Sequence, residues 1–416
     1  MGTLARKKRI LFITHAFGHY GSERSMLDFL KILDRDEYEP FVLLKKKGYL
    51  YEELRRMGVE VDIYPMQQWI VHPRDFARWH FRVVFFEMPK RVKYIMRMIE
   101  SKSIDLVYTN SILVVDGVLA AKLKKIPNII HVRELLGRNP NLRSYLPLFL
   151  VTFLVRVLAD RIITVSNVVK EILKSRFGWR INRKIKVVHN GVDFTRFIKL
   201  VSGNSIDALR DELGLRKGTK VVTLIGRFAE TKGQIDFINA ASHIVRDFPD
   251  VRFIILGSGS KTFLTTMIDE LEKLGLTKKF TFLGARANLF PVYEVTDILV
   301  SASWAESFGL TIVEAMANKV PVVSTRCGGP EEIIIDGETG FLVPVRAPEE
   351  LAEAVLKLLK DAYLCLKIGE SGYQRAFELF NGSVNNIRVR DIIDTVLARD
   401  GKRQNSRKQK VGNTQC

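Results

Sequence analysis

Two glutamates, Glu306 and Glu314, lie eight positions apart in the segment Glu-Ser-Phe-Gly-Leu-Thr-Ile-Val-Glu. In a continuous helix both carboxylates would project to one broad side, since eight residues turn about 800°. If residues 307–309 form a turn instead, a helix begins near Leu310, and the free amides of Gly309 and Leu310 would face an anion. Carboxylates accept hydrogen bonds from sugar and ribose hydroxyls, whereas free amides bind phosphate. A nucleotide sugar carries both kinds of group.

Basic residues and glycines follow two apolar runs upstream of these glutamates. After the run 221–225 come Gly226, Arg227 and Phe228, then Lys232 and Gly233; after the run 253–256 come Gly257 and Gly259. An arginine and a lysine beside a strand end neutralise a diphosphate, and glycines let a phosphate or a nucleoside approach the backbone closely. A tight turn is the alternative for the glycine pair.

Short apolar runs alternate with helical patterns twice along the chain, which is typical of parallel sheets built from strand–helix–strand units. The first series of expected strands covers 9–14, 40–44, 59–64, 105–109, 128–132, 161–165 and 185–188. The second series covers 220–225, 251–256, 280–283, 297–300, 320–324 and 341–343, with helices such as 233–247 and 348–361 between them. We therefore expect an α/β protein with two doubly wound parallel sheets, which bind ligands at the carboxyl ends of their strands.

The join between the two domains is expected near 195–215, where small polar residues interrupt the pattern. This division gives an N-terminal domain over 1–200 and a second domain over 201–400 that carries the motifs and ends in helices. Residues 401–416 are polar and basic, which predicts a flexible, solvated tail.

The composition is that of an ordinary globular protein, with 47% hydrophobic and 27% charged residues among 416. It excludes a disulfide scaffold and a chain that is disordered throughout. Three scattered cysteines without metal-binding spacing predict a reducing, cytoplasmic setting. We expect neither a secretory signal nor a membrane-spanning helix, because the longest apolar candidate, 144–155, is 12 residues long, whereas crossing a bilayer takes roughly 20.

The net charge of +19 is concentrated in the first half of the chain. Residues 1–200 carry 37 Lys and Arg against 19 Asp and Glu, whereas 201–400 carry 23 against 27. Such asymmetry predicts a partner with negative charge, either nucleic acid or an anionic membrane surface.

Together these motifs resemble the retaining glycosyltransferases of family 4, also called glycosyl transferases group 1, which have the GT-B fold. The segment from Gly226 to Gly233 is similar to the family's GR-[LF]-x(3)-KG pattern, and Glu306 to Glu314 is similar to its E-x7-E motif. Four more segments continue the pattern in register: Asn190-Gly191-Val192-Asp193, Gly328-Gly329-Pro330-Glu331, Asp336-Gly337 and Thr339-Gly340. The match runs from the first expected strand to about residue 345.

The resemblance implies two Rossmann-like domains with a cleft between them, and transfer of a sugar from a nucleoside diphosphate sugar with retention at the anomeric carbon. It implies that Arg227 and Lys232 bind the diphosphate, that Glu306 holds the donor sugar and that Glu314 holds the ribose. Front-face attack by the acceptor hydroxyl needs no carboxylate nucleophile. The rest of the expected donor site comprises Gly21, Gly226, Gly257, Gly259, Phe308, Gly309 and Leu310. No metal and no other cofactor is expected.

The N-terminal half matches the family more loosely. The loop after the first strand usually reads GG-x-E in the family, but here it is Tyr20-Gly21-Ser22-Glu23, so only the second glycine is kept. Gly18 could supply the missing flexibility. His131 falls where the family often places a histidine that faces the donor sugar, so the resemblance implies a catalytic role for it. The alternative for His131 is a structural hydrogen bond.

The resemblance also implies that the basic N-terminal domain receives the acceptor. Segment 69–102 mixes aromatic and basic residues, and segment 142–158 is apolar and flanked by arginines, which suits an anionic lipid interface. The residues expected at this interface are Trp69, Arg74, Arg78, Trp79 and Arg82. We therefore expect peripheral attachment to the inner face of the cell membrane and a lipid-linked or membrane-borne glycan acceptor. Ordinary helices that pack on the sheet are the alternative.

A UDP-sugar is the preferred donor over GDP-mannose. Alternatives with the same fold are an epimerase, a phosphorylase or a catalytically inactive protein that binds a partner. A nucleic-acid-binding protein fits less well, because no RNP, KH, zinc-finger or basic-zipper pattern accompanies the basic charge.

Overall fold

The computed structural model describes residues 6–15, 21–175, 183–195, 203–286 and 288–412. Contacts divide the chain into an N-terminal unit, made of residues 1–189 and 383–416, and a C-terminal unit, residues 190–382. Each unit is built on its own parallel sheet. The expected α/β class with two doubly wound sheets is therefore confirmed.

The N-terminal unit contains seven parallel strands in the order β3-β2-β1-β5-β6-β8-β9, and β4 pairs separately with β7. The strands are β1 (Lys8–Thr14), β2 (Tyr38–Leu44), β3 (Glu60–Ile63), β4 (Ile70–Val71), β5 (Leu106–Thr109), β6 (Asn128–Val132), β7 (Arg143–Ser144), β8 (Arg161–Thr164) and β9 (Ile185–Val187). The helices between them are α1 (Gly21–Ile32), α2 (Tyr49–Arg56), α3 (Arg78–Phe86), α4 (Met88–Ser101), α5 (Asp116–Lys124), α6 (Leu148–Leu158) and α7 (Asn167–Ser175).

Alternation along the strands explains why both faces of this sheet are covered. Ile10 and Phe12 pack into one apolar cluster with α1 and α2, whereas Leu11 and Ile13 pack into another with α4 and α5. Successive side chains of a strand point to opposite faces, so a continuous apolar strand needs helices on both sides.

The C-terminal unit contains six parallel strands in the order β12-β11-β10-β13-β14-β15. They are β10 (Lys220–Ile225), β11 (Val251–Leu256), β12 (Phe280–Leu283), β13 (Ile298–Ser301), β14 (Val322–Thr325) and β15 (Phe341–Val343). The helices are α8 (Gly203–Glu212), α9 (Gln234–Asp247), α10 (Lys261–Lys273), α11 (Phe290–Glu294), α12 (Leu310–Ala317), α13 (Pro330–Ile333), α14 (Pro348–Lys360) and α15 (Ala362–Leu379). All thirteen strands expected from the sequence are present in the two sheets.

The predicted domain boundary near 195–215 is wrong, because the units divide between His189 and Asn190. Val192 already pairs with Asn381 inside the C-terminal unit, its amide donates to Phe380 O at 2.9 Å, and its carbonyl accepts from Gly382 N at 2.9 Å. Backbone pairing between distant segments fixes this boundary, and local composition does not show it.

The last helix, α16 (Gly382–Gly412), corrects two further predictions. Its apolar residues Val389, Ile393 and Val396 pack into the same cluster as β1, α1 and α2, so residues 383–400 belong to the N-terminal unit. The helix also continues through residues 401–412, where the sequence predicts a flexible tail. Lys, Arg and Gln have high helix propensity, which favours this extension.

A buried ion pair joins α4 to α5 in the N-terminal unit. Arg91 Nε donates to Asp116 Oδ2 at 2.8 Å, and both side chains are almost fully buried. The same guanidinium donates to Val84 O at 2.6 Å and to Val83 O at 3.2 Å, at the end of α3. Arg91 therefore links three helices, because it lies on α4 and its guanidinium donates both to a carboxylate on α5 and to two carbonyls on α3.

We expect Asp116→Ala to lower the free energy of unfolding by about 3–5 kcal/mol, because it leaves the Arg91 guanidinium buried without a carboxylate. Urea denaturation followed by circular dichroism measures the change. Glu100→Ala is the matched control, because Glu100 pairs with Lys124 across the same two helices at the surface, and exposed pairs contribute up to about 1 kcal/mol. Equal losses in the two variants would contradict the assigned role of Asp116.

Candidate functional site

The motif residues of the C-terminal unit meet where its strands end. Lys232 closes a short 3-10 helix, Glu230–Lys232, in the loop after β10, and Glu306 lies in the loop after β13. Lys232 Nζ donates to Glu306 Oε2, and both side chains are partly exposed. The structure thus brings together the residues expected to bind the diphosphate and the sugar, as a cation beside an acceptor.

Glu306 lies in the loop before a helix, which decides between the two conformations left open by the sequence. Helix α12 begins at Leu310 after Gly309, whose φ of 114° is a conformation that glycine adopts readily. Within the described residues, the amides of Gly309, Leu310 and Thr311 have no acceptor. The start of α12 therefore presents free N–H groups and the positive end of a helix dipole.

Glu314 lies in the second turn of α12, and its side chain is buried. Its Oε2 accepts a hydrogen bond from the Tyr293 hydroxyl at 2.8 Å. Tyr293 comes from α11 and was not identified from the sequence, because a single tyrosine in an apolar segment has no distinctive spacing. The bond fixes one carboxylate oxygen.

The glycines after β10 and β11 bring two loops into direct backbone contact. A Cβ added to Gly257 would lie 1.9 Å from Gly226 O, and one added to Gly259 would lie 2.3 Å from Phe228 O. Phe228 N donates to Ser258 O at 2.9 Å, and Gly226 N donates to Leu256 O at 2.9 Å. These glycines have a structural reason to be glycine, and their binding to the donor stays a prediction.

Two more glycines bring the loops at this edge together. A Cβ on Gly233 would lie 1.9 Å from Ala302 O, and one on Gly329 would lie 2.3 Å from Phe308 O. Gly329 N also donates to Glu306 O at 2.7 Å. The loops that carry Lys232, Glu306 and the start of α12 are therefore held by backbone contacts.

Arg227 and Phe228, which follow β10, differ in exposure. Arg227 is exposed, and its carbonyl accepts a hydrogen bond from Nε2 of the buried Gln234 at 2.8 Å. Gln234, at the start of α9, was also missed by sequence reasoning, because an isolated glutamine gives no signal. The side-chain amide of Gln234 therefore holds the backbone of this loop, while the guanidinium of Arg227 stays in solvent.

Phe308 does not offer its side chain to a ligand. The ring is buried and packs edge-on against Phe380, with centroids 5.5 Å apart. The ring anchors the turn before α12, because burying an aromatic side chain stabilises the fold. The expected part of Phe308 in donor binding stays a prediction.

Cys327 reports the electrostatics beside Glu306. The pKa of its thiol is raised to about 12, mainly by burial and also by the nearby carboxylates of Glu306 and Glu331, against the opposing effects of Thr325 and Lys232. The thiol is therefore neutral at physiological pH.

In the N-terminal unit, polar residues gather where β5 and β6 end. His131 is buried, and its Nδ1 lies 2.7 Å from the Tyr108 hydroxyl and 3.3 Å from Arg133 Nη2. Arg133 Nε also donates to Asn110 Oδ1 at 2.8 Å. We call Tyr108, Asn110, His131 and Arg133 the β5–β6 polar cluster. Sequence reasoning identified only His131, since the other three share no motif.

Burial lowers the pKa of His131 well below its usual range, and the Arg133 cation lowers it further. The imidazole is therefore neutral. Glu134 follows in the chain, and its carboxylate accepts from Ser111 Oγ and from Ile112 N at 3.2 Å. Burial raises the pKa of Glu134, and those hydrogen bonds oppose the shift.

Gly21, expected to bind the donor, is the first residue of α1 and is exposed. Tyr20, which replaces the family's first glycine in this loop, and Gly18, which could supply the missing flexibility, lie outside the described residues. Glu23 of the same motif is buried and accepts from Ser22 Oγ at 2.5 Å.

Trp69 corrects the expected membrane and acceptor surface. Its side chain is buried, and its Nε1 donates to Ile112 O at 2.6 Å, so it is a core residue and does not face a ligand. Arg74 and Arg82 are exposed, and Arg78 and Trp79 begin α3, with side chains outside the described part.

Exposed apolar side chains do occur on neighbouring elements. Phe81 and Phe86 of α3 are exposed, the latter by 75%, and Phe149, Phe153 and Val157 form an exposed stripe at four-residue spacing along α6. Arg156 lies with its guanidinium carbon 5.3 Å from the centre of the Phe153 ring.

Among the described helices, none is long and apolar enough to span a bilayer. In the same part of the chain, no three His, Cys, Asp or Glu side chains group as metal ligands.

Two family models match consecutive parts of the chain. The model described as glycosyltransferase family 4 matches residues 20–196, and the model described as glycosyl transferases group 1 matches residues 205–375. The first match covers most of the N-terminal unit, and the second covers the motifs of the C-terminal unit.

Curated relatives share about half of this chain. N-acetyl-alpha-D-glucosaminyl L-malate synthase of Bacillus anthracis is 30% identical over 199 residues, 48% of this chain and 50% of that protein. D-inositol 3-phosphate glycosyltransferase of Corynebacterium glutamicum is 36% identical over 202 residues, 46% of this chain and 47% of that protein. The chain therefore spans about half the length of the curated relatives it matches.

Solved structures share the fold over nearly the whole chain. Anabaena HepE in complex with UDP-glucose has a TM-score of 0.78 at 23% identity, covering 93% of this chain and 99% of that one. A glycosyltransferase from Rickettsia africae has a TM-score of 0.75 at 20% identity, covering 94% and 99%. Both similarities confirm the GT-B fold.

We expect Gly257→Ala to separate the two loops after β10 and β11, because its Cβ would overlap Gly226 O. The free energy of unfolding should fall by about 1–3 kcal/mol, and hydrogen exchange should quicken in the peptide 221–233. Gly284→Ala is the control, since a Cβ there meets nothing within 4 Å. Unchanged exchange in Gly257→Ala would show that the loop contact is not needed.

Proposed function

Because the chain belongs to the glycosyltransferases of group 1 and family 4, we propose that it transfers a glycosyl unit from a nucleoside diphosphate sugar to an acceptor hydroxyl. The observation that carries the proposal is the pairing of Lys232 with Glu306 directly before the free amides of α12. A cation, a carboxylate and unpaired N–H groups at one edge suit a ligand that has both phosphates and hydroxyls.

The main catalytic effect we assign is electrostatic. Negative charge develops on the departing diphosphate, and Arg227, Lys232 and the amides of Gly309 and Leu310 stabilise it. The exposed guanidinium of Arg227 is free to rotate towards a phosphate, whereas Lys232 starts from its contact with Glu306. The diphosphate therefore competes with the Glu306 carboxylate for the ammonium of Lys232.

The two glutamates act as hydrogen-bond acceptors in this proposal. Glu306 accepts from hydroxyls of the donor sugar, and Glu314 accepts from the ribose while Tyr293 holds its carboxylate in place. Neither carboxylate serves as a nucleophile, since Glu306 is paired with an ammonium and Glu314 is buried. Transfer with retention then follows from attack of the acceptor on the face that the diphosphate leaves.

A UDP-sugar is our preferred donor over GDP-mannose. Support comes from HepE, whose structures contain UDP, UDP and glucose, or UDP-glucose. The relatives named for inositol 3-phosphate and malate have small acceptors, whereas the charge distribution of this chain favours a lipid-linked or membrane-borne glycan.

Calorimetric titration of the full chain with UDP, GDP, ADP and dTDP tests the donor site. We expect one nucleotide, UDP, to bind with micromolar affinity. Arg227→Ala and Glu314→Gln should weaken binding by about 10- to 100-fold, because each removes a hydrogen bond to or from a charged group. Glutamine keeps an acceptor for Tyr293 and so protects the fold.

Two exposed residues of the C-terminal unit supply matched controls, Arg246→Ala and Glu349→Gln. These two variants should bind UDP with the same affinity as the wild type. Absence of binding to all four nucleotides, or equal affinity in all variants, would sink the transferase proposal and favour a partner-binding protein with the same fold.

We also propose that the chain attaches peripherally to the inner face of the cell membrane through α3 and α6. Helix α3 exposes Phe81 and Phe86 together with the basic residue Arg82. Helix α6 exposes an apolar stripe that includes Phe149 and Phe153. Aromatic rings at the headgroup level and cations against anionic lipid stabilise such attachment. The burial of Trp69 removes one anchor from the surface expected from the sequence.

Flotation with phosphatidylcholine vesicles, with and without phosphatidylglycerol, tests this attachment. Each basic residue near the surface contributes roughly 1 kcal/mol, so the double variant Arg74→Glu/Arg82→Glu should weaken binding to anionic vesicles by more than about tenfold. Phe149→Ser/Phe153→Ser should weaken binding to both kinds of vesicle. The control Lys261→Glu/Lys273→Glu changes two exposed charges of α10. Flotation unaffected by both the Arg74→Glu/Arg82→Glu and the Phe149→Ser/Phe153→Ser changes would exclude this surface.

A further inference from the structure

The protonation pattern of His131 follows from its neighbours in the β5–β6 polar cluster. Arg133 Nη2 lies 3.3 Å from His131 Nδ1. A guanidinium has only donors and keeps its protons at any physiological pH, so Nδ1 must be the acceptor. The Tyr108 hydroxyl, 2.7 Å from the same nitrogen, then also donates to it. The neutral ring consequently carries its proton on Nε2.

Nε2 of His131 is buried, and no partner for it exists within the described residues. A buried N–H without an acceptor costs free energy comparable to a lost hydrogen bond. The ring lies at the carboxyl end of β6, the edge at which parallel sheets bind ligands. A donor held ready at this edge suits an oxygen atom that arrives with a substrate.

Both neighbours are themselves fixed by contacts from other elements. Tyr108 lies beside Phe12 of β1, with ring centroids 5.2 Å apart, and stacks on Phe29 of α1 at 6.5 Å. Arg133 donates to Asn110 Oδ1 at 2.8 Å and to Ser25 Oγ at 3.3 Å. Strands β1, β5 and β6 and helix α1 therefore all help to orient one imidazole.

The charged groups that face this cluster do not favour a protonated ring. Arg133 is the nearest charge, and Glu23 of α1 and Glu134 act on Arg133 rather than on the imidazole. The neighbouring strands β5 and β6 contribute neutral groups, Tyr108 and Asn110. His131 thus serves as a neutral donor over the working pH range, and not as a general acid that titrates near neutrality.

We propose that Tyr108 and Arg133 are positioning residues, which hold His131 as the Nε2–H tautomer so that this N–H donates to an oxygen of the sugar substrate. The proposal rests on the transferase function proposed above and deepens it. A purely structural role for the cluster predicts that its loss lowers stability and leaves turnover unchanged. The two roles are distinguished by the tautomer of His131, which NMR spectra report, and by whether the variants lower kcat while leaving KM for the donor unchanged.

The first test is spectroscopic and needs no substrate. Long-range 1H–15N correlation spectra of 15N-histidine-labelled full-length protein distinguish the two neutral tautomers, and the His131→Gln spectrum assigns the signal. We expect His131 as the Nε2–H tautomer in the wild type. In Tyr108→Phe we expect a measurable Nδ1–H population, because only the longer 3.3 Å contact with Arg133 then favours the Nε2–H form. An Nδ1–H ring in the wild type would overturn the proposal.

The second test is kinetic and uses the nucleotide sugar identified by calorimetry. Tyr108→Phe should lower kcat by about 3- to 10-fold, the effect of one neutral hydrogen bond, with KM for the donor within about twofold. The mutated bond does not touch the substrate, so a change in kcat reports the orientation of His131. Arg133→Lys keeps the charge but loses the fork of donors, and should act in the same direction.

Tyr38→Phe is the matched control, because Tyr38 begins β2 of the same sheet at the opposite edge and its hydroxyl donates to Asp394 at 2.5 Å. Both phenylalanine variants lose one buried hydroxyl, so similar losses of stability with an unchanged kcat in both would refute positioning. If the wild type transfers no sugar from any nucleotide sugar, the function proposal fails by itself. The tautomer of His131 and its response to Tyr108→Phe then decide the positioning proposal.

Discussion

Close contact between backbones, without intervening side chains, is the constraint on which the functional edge of the C-terminal unit depends. The loops after β10 and β11 touch at Gly257, and the loops after β13 and β14 touch at Gly329. Each contact excludes even a methyl group, so the loops occupy one arrangement relative to one another. Lys232, Glu306 and the start of α12 inherit their positions from it, which is why flexible charged side chains can form an organised site.

Much of this arrangement could be predicted from the sequence because the signals are local. Alternating apolar runs gave all thirteen strands of the two large sheets, since a strand buried on both faces must be apolar along its length. For the segment from Glu306 to Glu314 the sequence left two conformations open, and the structure has the one in which a turn precedes α12. Spacing identified Arg227, Lys232 and Glu314 for the same reason: each belongs to a short segment.

The predictions failed where distant segments meet. Trp69 looks like an interfacial aromatic in its own segment, but a carbonyl more than 40 residues away accepts its N–H and buries it. The contact between the Phe308 ring and Phe380 has no local signal in the sequence either. Tyr108 lies 23 positions from His131 and meets it only when β5 and β6 pair, and Arg133, although only two positions away, belongs to no motif. Local sequence shows the type of a side chain, and the fold decides what it touches.

The return of α16 to the first sheet has a consequence for how the protein is made. Val389, Ile393 and Val396 fill the cluster that β1 and α1 begin, and Asp394 accepts from both Lys8 and Tyr38. During synthesis the apolar patch that α16 covers beside α1 and α2 therefore stays open until residues 383–396 have followed the second unit out of the ribosome. That patch must be kept from other chains in the meantime.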